Sequence, residues 1–165
     1  MPESRPVPSE RVAEAARSRS FSVEFVARAA AGSLEEAARM LGLAASDIVK
    51  TLVVKRSDDT YLFALIPGDS AISWPKLRAV VGVNKLRLPE PELALAATGF
   101  ERGTITPIGS TTDWPVYADE TITGRRIAMG AGAHGFSLFV DADDLIRAYG
   151  ATVADISQAM GERQA

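Results

Sequence analysis

Residues 48–55 read I-V-K-T-L-V-V-K, and the interpretation of the rest of the chain depends on this stretch. Aliphatic and β-branched residues fill it almost without interruption, which predicts a strand covered on both faces. In an extended chain Lys50, Leu52 and Val54 share one face, and the residues between them share the other. Lys50 is therefore expected where its neighbours avoid water.

Two interpretations of Lys50 follow from this placement. A buried ammonium group is costly unless it is paired or reaches a polar cleft, which makes such a lysine a candidate site residue. Alternatively, Lys50 lies near the end of the strand, and its four-carbon stem carries the charge to solvent. The pattern of the strand alone leaves both interpretations open.

Length, charge and composition limit the class of protein. The chain has 165 residues, of which 47% are hydrophobic, and this suits one domain with a full core. A net charge of −3 argues against a protein that coats DNA or RNA nonspecifically. The absence of cysteine excludes disulfides and thiolate nucleophiles. No apolar run approaches the ~18 residues of a membrane span, so we expect a soluble cytoplasmic protein without a membrane partner.

The pattern of elements predicts an α+β fold. Helices are expected after the cap residues Ser9, Ser33, Ser73 and Asp143, and at residues 92–97. Strands are expected at residues 21–25, 48–55, 61–66, 83–88, 114–118, 126–129 and 136–140. The second and third of these strands are separated by a polar turn and should form a central hairpin. Because strands outnumber helices and alternate with them irregularly, a mixed sheet with flanking helices is favoured over a doubly wound fold.

A glycine-rich stretch, T-G-F-E-R-G-T-I-T-P-I-G at residues 98–109, is the second candidate site. Glycine lets a backbone approach a ligand closely, so this loop is suited to present N–H groups to an anion or an oxyanion. The alternative is a set of tight turns between sheet elements. The stretch is neither a dinucleotide fingerprint nor a phosphate-binding P-loop.

The third stretch, M-G-A-G-A-H-G at residues 129–135, contains the only histidine, His134. A lone histidine beside glycines is either a surface turn residue or, if it faces Lys50, a catalytic base. With one histidine and no cysteine, ordinary zinc sites are excluded. A serine triad would have His134 as its one possible base, and no G-x-S-x-G elbow is present. Asp141, Asp143 and Asp144 are explained as helix-cap residues, so we expect neither a metal nor a cofactor.

In their order and spacing, these stretches resemble the YbaK and prolyl-tRNA-synthetase-associated domain family, editing domains that hydrolyse mischarged aminoacyl-tRNA. The resemblance rests on residues 33–38, 48–54, 98–109, 130–135 and 144–145. It implies a mixed, curved sheet with flanking helices and a pocket for the aminoacyl-adenosine end of a tRNA. It also implies that residues 21–157 are the editing domain, preceded by an arm and short helix at 1–20 and followed by a tail at 158–165.

The same resemblance assigns roles to residues. Lys50 matches the lysine that the family associates with activity and would hold the terminal adenosine. N–H groups near Gly103 and Gly132 would steady the ester carbonyl while water attacks. The implied substrates carry alanine or cysteine on proline tRNA. The expected substrate-binding residues are Thr51, Gly99, Phe100, Gly103, Thr106, Pro107, Gly109, Gly130, Gly132 and His134.

The implied partners are the acceptor end of an aminoacyl-tRNA and an aminoacyl-tRNA synthetase. The candidates for a basic patch that contacts the tRNA are Lys76, Arg78, Lys85, Arg87, Arg125 and Arg126. Scattered cations on a solvated surface are the alternative. Two other functions stay open: a noncatalytic module that binds aminoacyl-tRNA or a synthetase, and an unrelated small-molecule hydrolase.

Overall fold

The computed structural model of the chain describes residues 9–29, 31–57 and 59–160. The predicted arm at residues 1–8 and the end of the predicted tail, residues 161–165, lie outside this part. The helices of the described part are α1 (Glu10–Ser18), α2 (Leu34–Leu41), α3 (Trp74–Val81), α4 (Pro91–Thr98) and α5 (Ala142–Tyr149). Its strands are β1 (Glu24–Ala27), β2 (Val49–Lys55), β3 (Tyr61–Pro67), β4 (Ser70–Ile72), β5 (Val116–Asp119), β6 (Arg126–Gly130), β7 (Phe136–Asp141), β8 (Thr152–Ala154) and β9 (Ser157–Ala159).

The largest sheet is mixed and has the strand order β2-β3-β5-β8. Strands β2 and β3 pair antiparallel over their whole length, from Val49 opposite Pro67 to Lys55 opposite Tyr61, which confirms the predicted hairpin. Strand β5 then pairs parallel with β3 and with β8. Every residue of β3 is buried, as expected for a central strand, whereas β2 lies at the sheet edge.

Two smaller sheets complete the fold. One is antiparallel with the order β1-β7-β6, and the other pairs β4 with β9. A single parallel bridge between Ile48 and Ala128 connects the start of β2 to β6. Sheets that carry both parallel and antiparallel pairs, together with helices, confirm the predicted α+β fold.

The two faces of β2 pack against different core clusters. Val49 and Val53 belong to the larger cluster, which also contains Val12 and Ala16 of α1. Val54 belongs to the smaller cluster, and Leu52 packs against it. The predicted alternation along this strand is therefore confirmed, and Lys50 lies on the side of the smaller cluster.

The helix caps follow the sequence except at α5. The Ser33 hydroxyl accepts a hydrogen bond from the Glu36 N–H at 3.1 Å, and Gly42 ends α2 in the left-handed conformation. The prediction of Asp143 as the cap of α5 is wrong, because Asp141 occupies that position. The Asp143 carboxylate instead accepts the Gly124 N–H at 2.9 Å.

Other differences concern short elements. The strand predicted at residues 83–88 is wrong, because only Arg87 pairs, in an isolated antiparallel bridge with Lys55. The bridge is not extended, because β2 ends at Lys55 on one side and Pro89 has no N–H to donate on the other. Strands β4, β8 and β9 were not predicted, since three residues are too few to show an alternating pattern. The predicted domain limit at residue 157 falls inside β9. Within the described residues, no helix is long and apolar enough to cross a bilayer.

Candidate active site

A cleft of about 620 Å³ opens along the edge of β2. Its walls come from five segments of the chain, at residues 28–37, 48–53, 88–94, 102–105 and 129–137. Because β2 is an edge strand, side chains from both of its faces reach this space, including Lys50 and Thr51. The cleft therefore combines the strand that contains Lys50 with parts of both glycine-rich stretches.

Lys50 is half-buried in this cleft, and its ammonium group donates a hydrogen bond to the Ser70 carbonyl oxygen at 2.5 Å. Burial lowers the pKa of Lys50 below its ordinary value, while the carboxylates of Asp69 and Glu35 act in the opposite direction. An ammonium group has three N–H donors, so the bond to Ser70 leaves two for a ligand. The Lys50 ammonium group therefore stays within the cleft and bonds to the protein instead of extending into solvent.

Thr51 lies next to Lys50 but projects from the other face of β2. Its hydroxyl oxygen is buried and has no hydrogen-bond partner among the described residues. Such a group carries a desolvation cost of about 1–3 kcal/mol unless a ligand or water satisfies it. The unpartnered hydroxyl therefore marks a polar contact point in a wall that is otherwise mostly apolar.

The loop at residues 102–105 supplies main-chain donors to the cleft. Within the described part of the chain, the N–H groups of Gly103 and Ile105 have no hydrogen-bond acceptor. Gly103 has φ of +88°, a conformation that glycine adopts without strain. These two N–H groups are therefore candidate hydrogen-bond donors for a carbonyl oxygen.

Gly130 forms part of the cleft wall next to that loop. A Cβ atom there would lie 2.7 Å from the Ile105 carbonyl oxygen and 2.8 Å from that of Thr104. Only glycine permits the two backbones to approach this closely. Gly130 therefore fixes the distance between β6 and the loop that carries Gly103.

Four of the predicted substrate-binding residues lie outside the cleft, beneath α1. Phe100 is 2% exposed, and the Arg11 guanidinium lies 4.6 Å from the centre of its ring. Close contacts with α1 or its cap residue explain the glycines at positions 99, 109 and 132. The N–H of Gly132 donates to the Thr104 carbonyl at 2.9 Å, so it is not available to an ester carbonyl as predicted.

Three further predicted residues also lie outside the cleft. Thr106 and Pro107 are buried, and the Thr106 hydroxyl donates to the sulfur of Met129, a residue of the cleft wall. His134 is exposed, with Nε2 3.1 Å from the Glu101 carboxylate. His134 therefore does not face Lys50. Of the predicted residues, the cleft brings together Lys50, Thr51, Gly103 and Gly130.

Several residues of the cleft were not among the predicted site residues. Arg28 follows β1, and its Nε donates to the Ser137 hydroxyl at 2.8 Å across the cleft wall. Arg102 also lines the cleft. Its position directly before Gly103, a predicted site residue, was a signal in the sequence for this role. The apolar wall brings together residues distant in sequence: Leu34, Ala37, Leu88, Pro89, Pro91, Ala94, Ile105, Met129 and Phe136.

The donor set limits the chemistry of the cleft. Among the described residues that line it there is no carboxylate, imidazole or thiol. The side chains left to accept a proton or to attack are the Lys50 amine and the hydroxyls of Ser33, Thr51 and Ser137. Cationic and N–H donors beside apolar walls are suited to bind an anionic or ester-bearing ligand with an apolar group. A reaction here would depend on positioning and on stabilisation of negative charge.

A family model described as an aminoacyl-tRNA editing domain matches residues 28–148. The chain belongs to this family. The matched region includes all five segments of the cleft wall, so the Lys50 cleft is a feature of the editing domain itself. Membership confirms the resemblance to YbaK-type editing domains and implies an aminoacyl-tRNA as ligand.

Named relatives agree with this family. A proline--tRNA ligase of Shouchella clausii is 38% identical over 107 residues, which are 64% of this chain and 19% of that protein. A protein of Enterococcus faecalis, named as a candidate Cys-tRNA(Pro)/Cys-tRNA(Cys) deacylase, is 32% identical over 107 residues, 64% of this chain and 65% of that protein. The editing domain thus spans about a fifth of the ligase and about two thirds of the deacylase.

A solved structure has the same fold. It is described as a candidate trans-editing enzyme for prolyl tRNA synthetase and superposes with a TM-score of 0.82 at 29% sequence identity. The match covers 90% of this chain and 96% of that one. The editing-domain fold therefore includes nearly all of the described residues.

Proposed function

We propose that this editing domain hydrolyses the ester bond of mischarged aminoacyl-tRNA, with alanine or cysteine on proline tRNA as the substrate class. The observation that carries the proposal is the position of Lys50, half-buried in a cleft that also presents the free N–H groups of Gly103 and Ile105. The candidate deacylase of Enterococcus faecalis supports the cysteine substrate by its name.

In the proposed reaction, Lys50 holds the ribose or phosphate of the terminal adenosine, using the donors not engaged by Ser70. Water attacks the ester carbonyl carbon, and the carbonyl oxygen becomes an oxyanion that accepts hydrogen bonds from Gly103 and Ile105. The C–O bond to the ribose then breaks, and the ribose oxygen takes the proton that the attacking water loses, so the products are the free amino acid and the tRNA with its terminal hydroxyl restored. Gly132, predicted for the oxyanion, has no part in this scheme.

The remaining cleft residues suit a small amino acid. Leu34, Ile105 and Met129 give the wall an apolar surface against which a short side chain packs. A synthetase separates side chains that differ by one methylene by only about 1–3 kcal/mol, so a second site is needed to hydrolyse the wrong ester. The unpartnered Thr51 hydroxyl is the candidate contact for a polar atom of the substrate.

The partner and location follow from the same role. Because related domains occur within proline--tRNA ligases, we place this chain beside such a synthetase in the cytoplasm, acting on the tRNA that the synthetase releases. The editing unit comprises the predicted residues 21–157 together with α1 and β9. Val12 and Ala16 of α1 belong to the main core, and β9 pairs with β4.

A panel of charged tRNAs tests the proposal. Wild-type protein is incubated with alanyl-, cysteinyl- and seryl-tRNA(Pro) and with correctly charged prolyl-tRNA(Pro), and loss of the labelled ester is compared with buffer. Faster loss of the alanyl or cysteinyl ester, with the prolyl ester spared, is expected. Binding of these tRNAs without hydrolysis would instead identify a noncatalytic module, and hydrolysis of simple esters alone would identify a small-molecule hydrolase.

A further inference from the structure

A second cavity, of about 580 Å³, lies at the other end of the β2–β3 hairpin. Five of the described residues that line it are cationic: Lys55, Arg56, Arg78, Lys85 and Arg87. The one described carboxylate in its lining is Asp59, which is 94% exposed and 3.9 Å from Lys55. We call this cavity the basic pocket.

The cations of the predicted patch that lie outside the basic pocket form ion pairs with other residues. Lys76 pairs with Asp155 at 2.9 Å, while Arg125 pairs with Asp47. Arg126 pairs with two carboxylates at 3.4 and 3.5 Å. These three cations therefore have partners away from the pocket.

In the pocket itself, Arg56, Arg78, Lys85 and Arg87 form no ion pair with another described residue. In a chain with a net charge of −3, a local group of unpaired cations attracts an anion from outside the fold. The predicted patch is thus replaced by a smaller one that keeps Arg78, Lys85 and Arg87 and adds Lys55 and Arg56.

Two segments of the chain connect the basic pocket to the Lys50 cleft. Strand β2 lines the cleft up to Val53 and the pocket from Lys55 onward. The segment after α3 lines the pocket up to Arg87 and the cleft from Leu88 onward. Lys50 and Lys55 are five residues apart on an extended strand, which corresponds to roughly 17 Å. A short single-stranded RNA end spans that distance.

We propose that the basic pocket binds backbone phosphates of the tRNA acceptor end, upstream of the terminal adenosine held in the Lys50 cleft. This inference rests on the proposed function. Guanidinium groups bind phosphate in a bidentate manner, and three of the five cations are arginines. Lys85 and Arg87 are exposed along an open groove, an arrangement suited to follow a polyanionic strand.

The test compares two substrates and two matched variants. Lys85→Gln/Arg87→Gln removes two charges from the pocket, and Arg125→Gln/Arg126→Gln removes two charges outside it. One substrate is alanyl-tRNA(Pro), and the other is 3′-alanyl-adenosine, which lacks all upstream phosphates. Because all four side chains are exposed, circular dichroism is expected to match wild type for both variants. The melting temperature is expected to fall slightly for the control alone, which loses the exposed ion pairs of Arg125 and Arg126.

For the pocket variant, the dependence of log(kcat/KM) for alanyl-tRNA on log salt becomes shallower by about 1.4, since each single-strand phosphate contact contributes about 0.7. Between 50 and 200 mM salt, wild type then loses roughly sevenfold more activity than the variant. Hydrolysis of 3′-alanyl-adenosine stays at the wild-type rate, and the control variant keeps the wild-type salt slope. An unchanged slope, an equal loss on both substrates or an equal effect of the control variant would overturn the proposal.

A second measurement tests the basic pocket if the protein proves not to hydrolyse aminoacyl-tRNA. If the wild-type protein hydrolyses neither substrate, binding of uncharged tRNA is measured by fluorescence anisotropy at several salt concentrations. Weaker binding and a shallower salt slope for Lys85→Gln/Arg87→Gln alone would support the basic pocket without hydrolysis. Equal binding by wild type and both variants would reject it.

Discussion

The Lys50 cleft and the basic pocket lie at opposite ends of the same strand and use lysine in different surroundings. In the cleft, the half-buried Lys50 ammonium group, whose pKa is lowered by burial, lies among mostly apolar walls, with Arg28 and Arg102 as the other cations. In the pocket, five cations line an open groove in which Asp59 is the one carboxylate among the described residues. A partly buried charge interacts strongly with a single developing charge, whereas grouped charges near solvent bind a polyanion in a salt-dependent way.

This difference assigns separate tasks to the two regions. In the proposed scheme, the cleft supplies the reaction, because it contains Lys50 and the loop whose distance from β6 is set by Gly130. In the same scheme, the pocket supplies affinity for the rest of the acceptor end. Substitutions in the cleft should therefore reduce the rate with every substrate, and substitutions in the pocket should matter only for substrates that carry upstream phosphates.

The largest effect is expected for Lys50→Ala. Loss of a charged donor from a preorganised site reduces kcat/KM by about 10²–10³. Lys55→Ala is the matched control, because it removes a lysine from the same strand at the other end. Alanyl-tRNA(Pro) hydrolysis, measured at fixed salt, should fall by that factor for Lys50→Ala and by less than about tenfold for Lys55→Ala. Equal losses in the two variants would remove the distinction between cleft and pocket.

A smaller effect, on stability, is expected for Gly130→Ala. The new methyl group would overlap the carbonyl oxygens of Thr104 and Ile105, so the loop must shift, at a cost of about 1–3 kcal/mol in the free energy of unfolding. Lys85→Ala, in the open pocket, should change that free energy by less than about 0.5 kcal/mol. Urea unfolding measures both. If Gly130→Ala has the wild-type free energy of unfolding, the close contact between Gly130 and the carbonyl groups of Thr104 and Ile105 does not determine the structure of the cleft.

The sequence predicted the elements whose signals are local. The alternation around Lys50, the caps at Ser33 and Ser73 and the β2–β3 hairpin all depend on neighbours within a few residues, and all are confirmed. The prediction of a strand at residues 83–88 was wrong because pairing depends on a partner: β2 ends at Lys55, and Pro89 cannot donate to it. The three-residue strands were missed because they are too short to show an alternating pattern.

Only part of the site was predicted. A glycine-rich pattern indicates a close approach to the backbone, but it does not show whether a ligand or another part of the protein makes that approach. Gly103 and Gly130 line the cleft, whereas Gly99, Gly109 and Gly132 accommodate α1. Only the tertiary fold distinguishes these uses. Likewise, Arg28 reaches the cleft because β1 pairs with β7, a contact between segments more than a hundred residues apart.

The most direct test of the central claim, that the reacting end of the substrate occupies the Lys50 cleft, uses a non-hydrolysable amide analogue of 3′-alanyl-adenosine. The analogue is titrated into protein labelled with ¹³C at the lysine ε-carbons, and the NMR signals are assigned with Lys50→Arg, Lys55→Arg and Lys85→Arg variants. The account predicts that the Lys50 signal shifts saturably while those of Lys55 and Lys85 stay in place. An unchanged Lys50 signal with shifts at Lys55 or Lys85 would contradict it.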